Sequence, residues 1–595
     1  MKLNKFLLSA IAAASLTACS DSTDVVDNNK GHWNADGTGY MSLSISMPDN
    51  VGSKGSRATN DDFGHGDANE YAVYNAMLVI FTRDNNATEP TNEDNYKFNA
   101  AYELPLRFTD NTTKPSQISS KAIAHIKAFD ATDAKALVIL NKPQSVQIVN
   151  KTNLQIGQTE FSSTGTNNTF KNFKDLAIEV ATDLKTGSGF TMTNAPLTTA
   201  HSTKSTTIKA GNTTTLAEVK KDNIKPTAEE ADKAPATTVY VERSVAKVTL
   251  NNNKITGTLE NTPSVHYRIE SYALDNTNKT SYITRHVDNN WYNLKSGFFT
   301  DQKLTDDQYR FVGVNEVETD AGLYRTYWAQ DPNYSIKSDA GTGLETTPTN
   351  FEEINKTFYC MENTFNVQSQ THRNTTRALL KVKFWVGDNE TNNTLYMYNN
   401  DVSTLSDNEE GSKTFEKKVI NDVNSIPAVK GYYGGVKSIK LSDKLDANGH
   451  KQIESVTYNV QNNNVDVTED ATNASAVFNI IKEHIGNISV YDKGNAYYSV
   501  LIKHFGDALT PWNSWESTKP NANNIYLNND EANYLGRYGV VRNNWYQLNV
   551  TKVSKIGKPV IDTPDNTPDD ELDSYISVSI NILSWAKRSQ DVDLQ

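Results

Sequence analysis

Tyr40-Met41-Ser42-Leu43-Ser44-Ile45-Ser46-Met47 alternates apolar and polar side chains from Met41 onward. A period of two belongs to an extended chain whose successive residues point to opposite faces, so Tyr40 to Met47 reads as a half-buried strand. Met41, Leu43, Ile45 and Met47 face inward and Ser42, Ser44 and Ser46 outward. Pro48, with no amide hydrogen for a ladder, ends it. Near the other end Ile576, Val578, Ile580 and Ile582 alternate with Ser577, Ser579 and Asn581 in the same way. Ala76 to Phe81 and Ala136 to Leu140 are apolar on both faces, as central strands of a sandwich are. Most other segments are short β-branched or aromatic runs separated by Asn, Asp, Gly and Thr, the pattern of antiparallel sandwiches. Helical spacing is rare; Ala474, Val477, Phe478, Ile481 and Ile485 show it. The fold class is all-β dominated, with a few short helices.

The 595 residues carry 58 Lys+Arg against 71 Asp+Glu, a net charge of -13, so the basic face that a nucleic-acid binder needs is not favoured. Two cysteines cannot build a disulfide scaffold. No Walker loop, His-Glu-x-x-His helix, paired CxxC or Gly-x-Ser-x-Gly elbow is present. His65, among Asp61, Asp62 and Asp67, has no His or Cys partner at ligand spacing and reads as loop. Asp446-Ala447-Asn448-Gly449 lacks the glutamate that closes a calcium loop and reads as a turn. Trp512 and Trp515 read as core or turn packing before they read as a sugar platform. No catalytic residue, metal ligand or cofactor is indicated, and the chain is not read as an enzyme.

Phe6 to Ala18 is a run of thirteen apolar or small residues after Lys2 and Lys5. It is too short to span a membrane as a helix but suits an export signal. Leu16-Thr17-Ala18-Cys19 matches a bacterial lipobox, in which the thiol is acylated, for instance with palmitate, and the chain is cut just before it. Asp21, Asp24 and Asp27 follow, and no later stretch reaches about 18 apolar residues. Cys360, in Thr357-Phe358-Tyr359-Cys360-Met361, reads as a buried, inert thiol. Asp49 to Asp62 reads as an exposed loop carrying Lys54 and Arg57. Asp222 to Pro235 reads as a polar link into a second domain. Gly557 to Glu571, with Pro559, Pro564 and Pro568 among aspartates, reads as an extended, self-repelling tether ahead of the last strand. A hydrophobic strand on a loose tether is an aggregation hazard unless it has a partner.

The lipobox, the strand from Tyr40 to Met47, Val241-Glu242-Arg243-Ser244-Val245-Ala246-Lys247-Val248, the block from Val540 to Gly557 and the ending from Ser584-Trp585 to Asp591-Val592-Asp593-Leu594 together resemble the major subunit of short fimbriae in the type V pilus, or fimbrillin, family. Residues about 250 to 350 and 385 to 470 carry no part of the likeness. The resemblance implies two tandem transthyretin-like β-sandwich domains in a surface lipoprotein precursor whose N-terminal segment an arginine-specific protease removes. Arg57-Ala58 fits that site, with Lys54 as a trypsin-like alternative. The expected division is a signal peptide at 1–18, a propeptide at 19–57, an N-terminal domain at 58–237, a C-terminal domain at 238–556 and a tether with donor strand at 557–595. Cutting after Arg57 removes five charges of each sign, so the mature chain keeps -13.

Removing the strand that holds Met41, Leu43, Ile45 and Met47 would open a groove that Ile576, Val578, Ile580 and Ile582 of another copy can fill, with Ser577, Ser579 and Asn581 facing solvent. Burial of four such side chains is worth about 6–12 kcal/mol before ordering costs. A head-to-tail contact of this kind propagates as an open filament. Expected partners are copies of the chain, accessory and anchor fimbrial subunits, the protease, and host or bacterial surface receptors. An accessory or tip fimbrillin adhesin and a surface glycan-binding lipoprotein are the alternative readings; neither requires this chain to form ladders on a gel after cutting.

Overall fold

A computed structural model describes residues 32–46, 68–70, 72–83, 92–108, 119–131, 133–166, 168–180, 182, 189–198, 213–251, 255–287, 312–313, 324–325, 329–334, 344–345, 348, 350–365, 369–408, 413–459, 471–504, 536, 538–566 and 576–583. Cys19, Met47, the Arg57-Ala58 pair, His65, Trp512 and Trp515 lie outside them. Strands dominate, as the alternation predicts.

The N-terminal half contains β1 (Thr38–Ser46), β2 (Ala76–Arg83), β3 (Lys97–Glu103), β4 (Leu106–Phe108), β5 (Ser119–Lys127), β6 (Asp133–Leu140), β7 (Val146–Val149), β8 (Asn153–Ile156), β9 (Thr159–Phe161), β10 (Met192–Asn194) and β11 (Thr237–Arg243). Their main path is β3-β2-β6-β10-β11-β1-β5-β4. β11 is the hinge of this sheet: Thr237 to Tyr240 pair with β1, and Val241 to Arg243 pair with β10. Met41, Leu43, Ile45, Ala122, Ala124 and Ile126 share one core with Leu78, Ile80, Ala136 and Val138, so the two wings of the sheet face each other. The other face of β2 and β6 is covered by β7 to β9 and helix α1 (Phe170–Lys174), through Val146, Leu154, Phe161, Phe170 and Phe173. Burial on both sides is why Ala76 to Phe81 shows no alternation.

The C-terminal half contains β12 (Val245–Leu250), β13 (Thr256–Leu259), β14 (Thr262–Asp275), β15 (Thr357–Met361), β16 (Arg377–Val386), β17 (Leu395–Tyr398), β18 (Val436–Leu441), β19 (Ile453–Tyr458), β20 (Ile488–Tyr491), β21 (Asn495–Leu501), β22 (Trp545–Val553) and β23 (Ile576–Leu583). Sheets β15-β12-β22-β23 and β13-β14-β16-β21 enclose a core that includes Val248, Leu380, Val382, Tyr498 and Leu548. The wiring of the first half recurs. β12 runs parallel to β22 and antiparallel to β15, as β1 runs parallel to β11 and antiparallel to β5. Between β16 and β21 the chain adds helices Thr414–Val423, Pro427–Gly431 and Ala471–Ile485, whose Phe415, Val419, Ile481 and Ile485 form a separate core. The last of these is the helix read from Ala474 to Ile485.

Three expectations change. Asp222 to Pro235 is not a bare polar link: it packs on the first half, against β1 and β5. It runs into Thr237, which opens β11 of the first half's sheet. Polar composition hid the buried Ile224, Ala231 and Ala236. The Pro/Asp segment is not loose throughout, because Asp562 meets the buried Arg377 guanidinium at 3.0 Å. Finally, Ser42 is not on an open face; it is 1% exposed.

The Asp446 turn is as read, with its carboxylate accepting from the Asn448 and His450 amides at 2.8 Å. Cys360 is buried, and desolvation pushes its thiol up to about 12. Among the described residues no helix is long and apolar enough to cross a membrane.

Candidate functional site

β1 is a central strand. It pairs with β5 over all nine residues, from Thr38 opposite Lys127 to Ser46 opposite Ser119, and with β11 from Leu43 opposite Thr237 to Ser46 opposite Tyr240. Met41 and Leu43 are 0% exposed and Ile45 3%, set against β2, β6 and β11. A strand in this position holds two neighbouring ladders and plugs the core. Taking it away would leave the inner edges of β5 and β11 unpaired along an apolar slot.

The outer face of β1 is also covered. On its β11 edge Lys225 exchanges backbone hydrogen bonds with Tyr40, at 2.8 and 3.0 Å, and the Ala236 amide donates to the Ser42 carbonyl at 2.8 Å. Between them α2 (Ala228–Ala231), capped by the Thr227 hydroxyl, lies against β1 and β5. Asp232 reaches Lys121 of β5 at 3.9 Å, and the Asn34 side-chain amide donates to the Pro226 carbonyl at 3.1 Å. The Ser42 hydroxyl is buried with no hydrogen-bond partner among the described residues. Further along, Tyr40 stacks on His125 at 4.7 Å.

The last strand, β23, pairs antiparallel with β22 on the free edge of the second half, with Ile576, Val578, Ile580 and Ile582 opposite Val553, Val550, Leu548 and Tyr546. The segment leading to it is pinned as far as residues 562–565. Arg377 donates to Asp275 at 2.6 and 2.8 Å, to the Asp562 carboxylate at 3.0 Å and to the Asp562 carbonyl at 2.7 Å. Ser499 donates to Asp562 at 2.6 Å, and the Arg373 amide donates to the Asp565 carbonyl at 2.8 Å. Burial acts to raise the Asp562 pKa, but Arg377, the Ser499 hydrogen bond and Lys558 outweigh it and hold the carboxyl down at about 2.

The two distant sequence blocks that carry the family likeness meet in space. The Arg243 amide and guanidinium donate to the Asn543 side-chain oxygen at 3.2 and 3.3 Å, the Lys247 amide donates to the Asn544 carbonyl at 2.9 Å, and the Asn543 amide donates to the Val245 carbonyl at 2.8 Å. Asn543 sits at φ 60, a left-handed conformation that asparagine tolerates better than most residues. Glu70 inserts here as well. Its carboxylate accepts from Lys247 at 2.6 Å and Tyr359 at 2.5 Å, and its carbonyl accepts from Arg243 at 2.8 Å. Sequence inspection had no signal for Glu70, whose partners lie far along the chain.

Residues 489–591, spanning β21, β22 and β23, match the family described as Major fimbrial subunit protein type IV, Fimbrillin, C-terminal. That stretch is similar to the C-terminal region of fimbrillins. The likeness read from the Val540 to Gly557 block and from the ending is borne out there. No curated protein matches. Similar solved structures include two candidate cell adhesion proteins from Parabacteroides distasonis ATCC 8503. One is 12% identical with a TM-score of 0.35, covering 93% of this chain and 99% of its own. The other is 10% identical with a TM-score of 0.33, covering 92% and 100%. A candidate cell adhesion protein from Bacteroides eggerthii DSM 20697 is 11% identical with a TM-score of 0.29, covering 92% and 96%. Overlaps this loose say nothing about function.

Proposed function

We propose that this fimbrillin-like chain is a structural shaft subunit of a surface fimbrium, assembled by protease-triggered donor-strand exchange and supporting adhesion and biofilm formation. The observation that carries the reading is the central place of β1: the segment ahead of Arg57 supplies a strand that is paired on both sides and plugs the first half's core. In this reading the precursor is a lipoprotein acylated at Cys19, cleavage between Arg57 and Ala58 frees β1, and β23 of the next copy fills the slot. The recurring wiring supports two tandem transthyretin-like sandwiches that meet at Ser244. The subunit does no chemistry and uses no cofactor; its partners are copies of itself, other fimbrial subunits, the protease and surface receptors.

Arg57→Ala combined with Lys54→Ala removes both basic residues of the loop. The expected outcome is uncut monomer after treatment with an arginine-specific protease, where the parent chain forms ladders on an unboiled denaturing gel. Ladders from the variant at the parental rate would refute cleavage at this loop as the trigger.

A further inference from the structure

The tail strand copies β1 residue by residue as well as in period. Tyr40-Met41-Ser42-Leu43-Ser44-Ile45-Ser46-Met47 and Tyr575-Ile576-Ser577-Val578-Ser579-Ile580-Asn581-Ile582, read in the same direction, agree at the tyrosine, at two serines and at one isoleucine, and replace apolar by apolar and polar by polar elsewhere. Alternation alone would let a donor run either way along the slot. The tyrosine at the head of both strands breaks that symmetry. Covering of the outer face breaks it again: the Ser42 place, 1% exposed beneath α2 and its flanking residues, has room for a small side chain, and a reversed donor would bring the larger Asn581 there.

We propose that the incoming strand lies in the direction of β1, parallel to β11 and antiparallel to β5 of the acceptor, and that residues 224–236 act as a clasp over it that selects a serine-sized residue at 577. This rests on the donor-strand reading and adds the orientation, the register and a specificity-determining position. In that register Ser577 takes the Ser42 place opposite Ile123, Tyr575 takes the Tyr40 place beside His125, and Val578 and Ile580 take the pockets of Leu43 and Ile45. The outward row of the donor is therefore not all in solvent. A charge or a large ring at 577 would enter a closed space whose resident hydroxyl already has no hydrogen-bond partner among the described residues.

Mixing experiments test this. Full-length chains carrying Ser577→Cys are mixed with chains carrying Ile123→Cys or Ser119→Cys, processed with the arginine-specific protease and oxidised. In the proposed register residue 577 lies opposite Ile123, and in the reversed one it lies opposite Ser119, the partner of Ser46. Covalent dimers with Ile123→Cys alone are expected. Dimers with Ser119→Cys alone, or ladders without a crosslink in either mixture, overturn the proposal while leaving strand exchange standing. Absence of ladders from the cut parent chain instead refutes strand exchange itself. Ser577→Phe should abolish ladders and Ser577→Ala should keep them; parental ladders from Ser577→Phe overturn the clasp. A melt of the uncut Ser577→Phe chain checks its fold, and the cysteine variants decide the orientation whatever that melt shows.

Discussion

His372 and Asp562 face the same buried guanidinium, that of Arg377, and both make the pinned tail sensitive to acid. Burial, and then the Arg377 charge, hold the His372 imidazole down at about 4. The unfolded chain takes up that proton near pH 6.5, so stability falls as pH drops from about 6.5 to about 4. Asp562, held at about 2, adds a loss at lower pH, between about 3.8 and 2. Asp331 acts in the opposite sense, because burial pushes its carboxyl up to about 7 and its contribution grows as pH falls from there toward 3.8. The His372 part is isolated by comparing the parent with His372→Gln in urea melts at pH 7 and pH 4.5. The parent should lose on the order of 2–3 kcal/mol more than the variant over that interval. Equal losses would mean that His372 is not held neutral by the fold.

Among the elements, β1 and β23 are the two strands of the proposed exchange, and their backbone partners differ in kind. β1 is enclosed by two strands and a clasp, whereas β23 holds only the free edge of β22. An edge strand with one ladder leaves more readily than a central strand with two, so β23 is suited to donation and β1 to retention until the chain is cut. Val578→Asp with Ile580→Asp would bring two charges to an apolar slot that cannot solvate them. The expected result is loss of ladders after cutting. Full ladders from this double variant would rule out β23 as the donor. The two strands were legible in the sequence because a period of two survives whenever one face is buried. The cover over Ser42 was not, since serine is equally at home on an open face and under a helix of alanines and glutamates.

At the scale of the molecule, the halves are locked by buried charges that no local pattern announces. Glu70 joins Lys247 of β12 and Tyr359 of β15, and Arg285 joins Glu242 at 2.6 Å; within the second half Arg542 joins Glu362 at 3.2 Å. Taking away one member of such a pair leaves the other charge buried without its counter-ion, at a cost of about 3–5 kcal/mol. Glu70→Ala should therefore lower the urea midpoint strongly, and Glu70→Ala with Lys247→Met should recover part of the loss. A single-variant midpoint equal to the parent's would show that the seam does not hold the halves together.

The sequence by itself determined the all-β class, the two alternating strands at the ends, the doubly apolar β2 and β6, the inert Cys360 and the likeness to fimbrillins. Each of these is written in short-range periodicity or in contiguous motifs, which survive without knowledge of any distant residue. Tertiary structure alone decided that β1 is central, that residues 224–236 pack against it, that Asp562 pins the tail to Arg377, and that the Arg243 and Asn543 blocks close on one another. These depend on which remote segment supplies the other half of a ladder, a cover or an ion pair. A residue's polarity says that it needs such a partner, and only the folded chain says where that partner is.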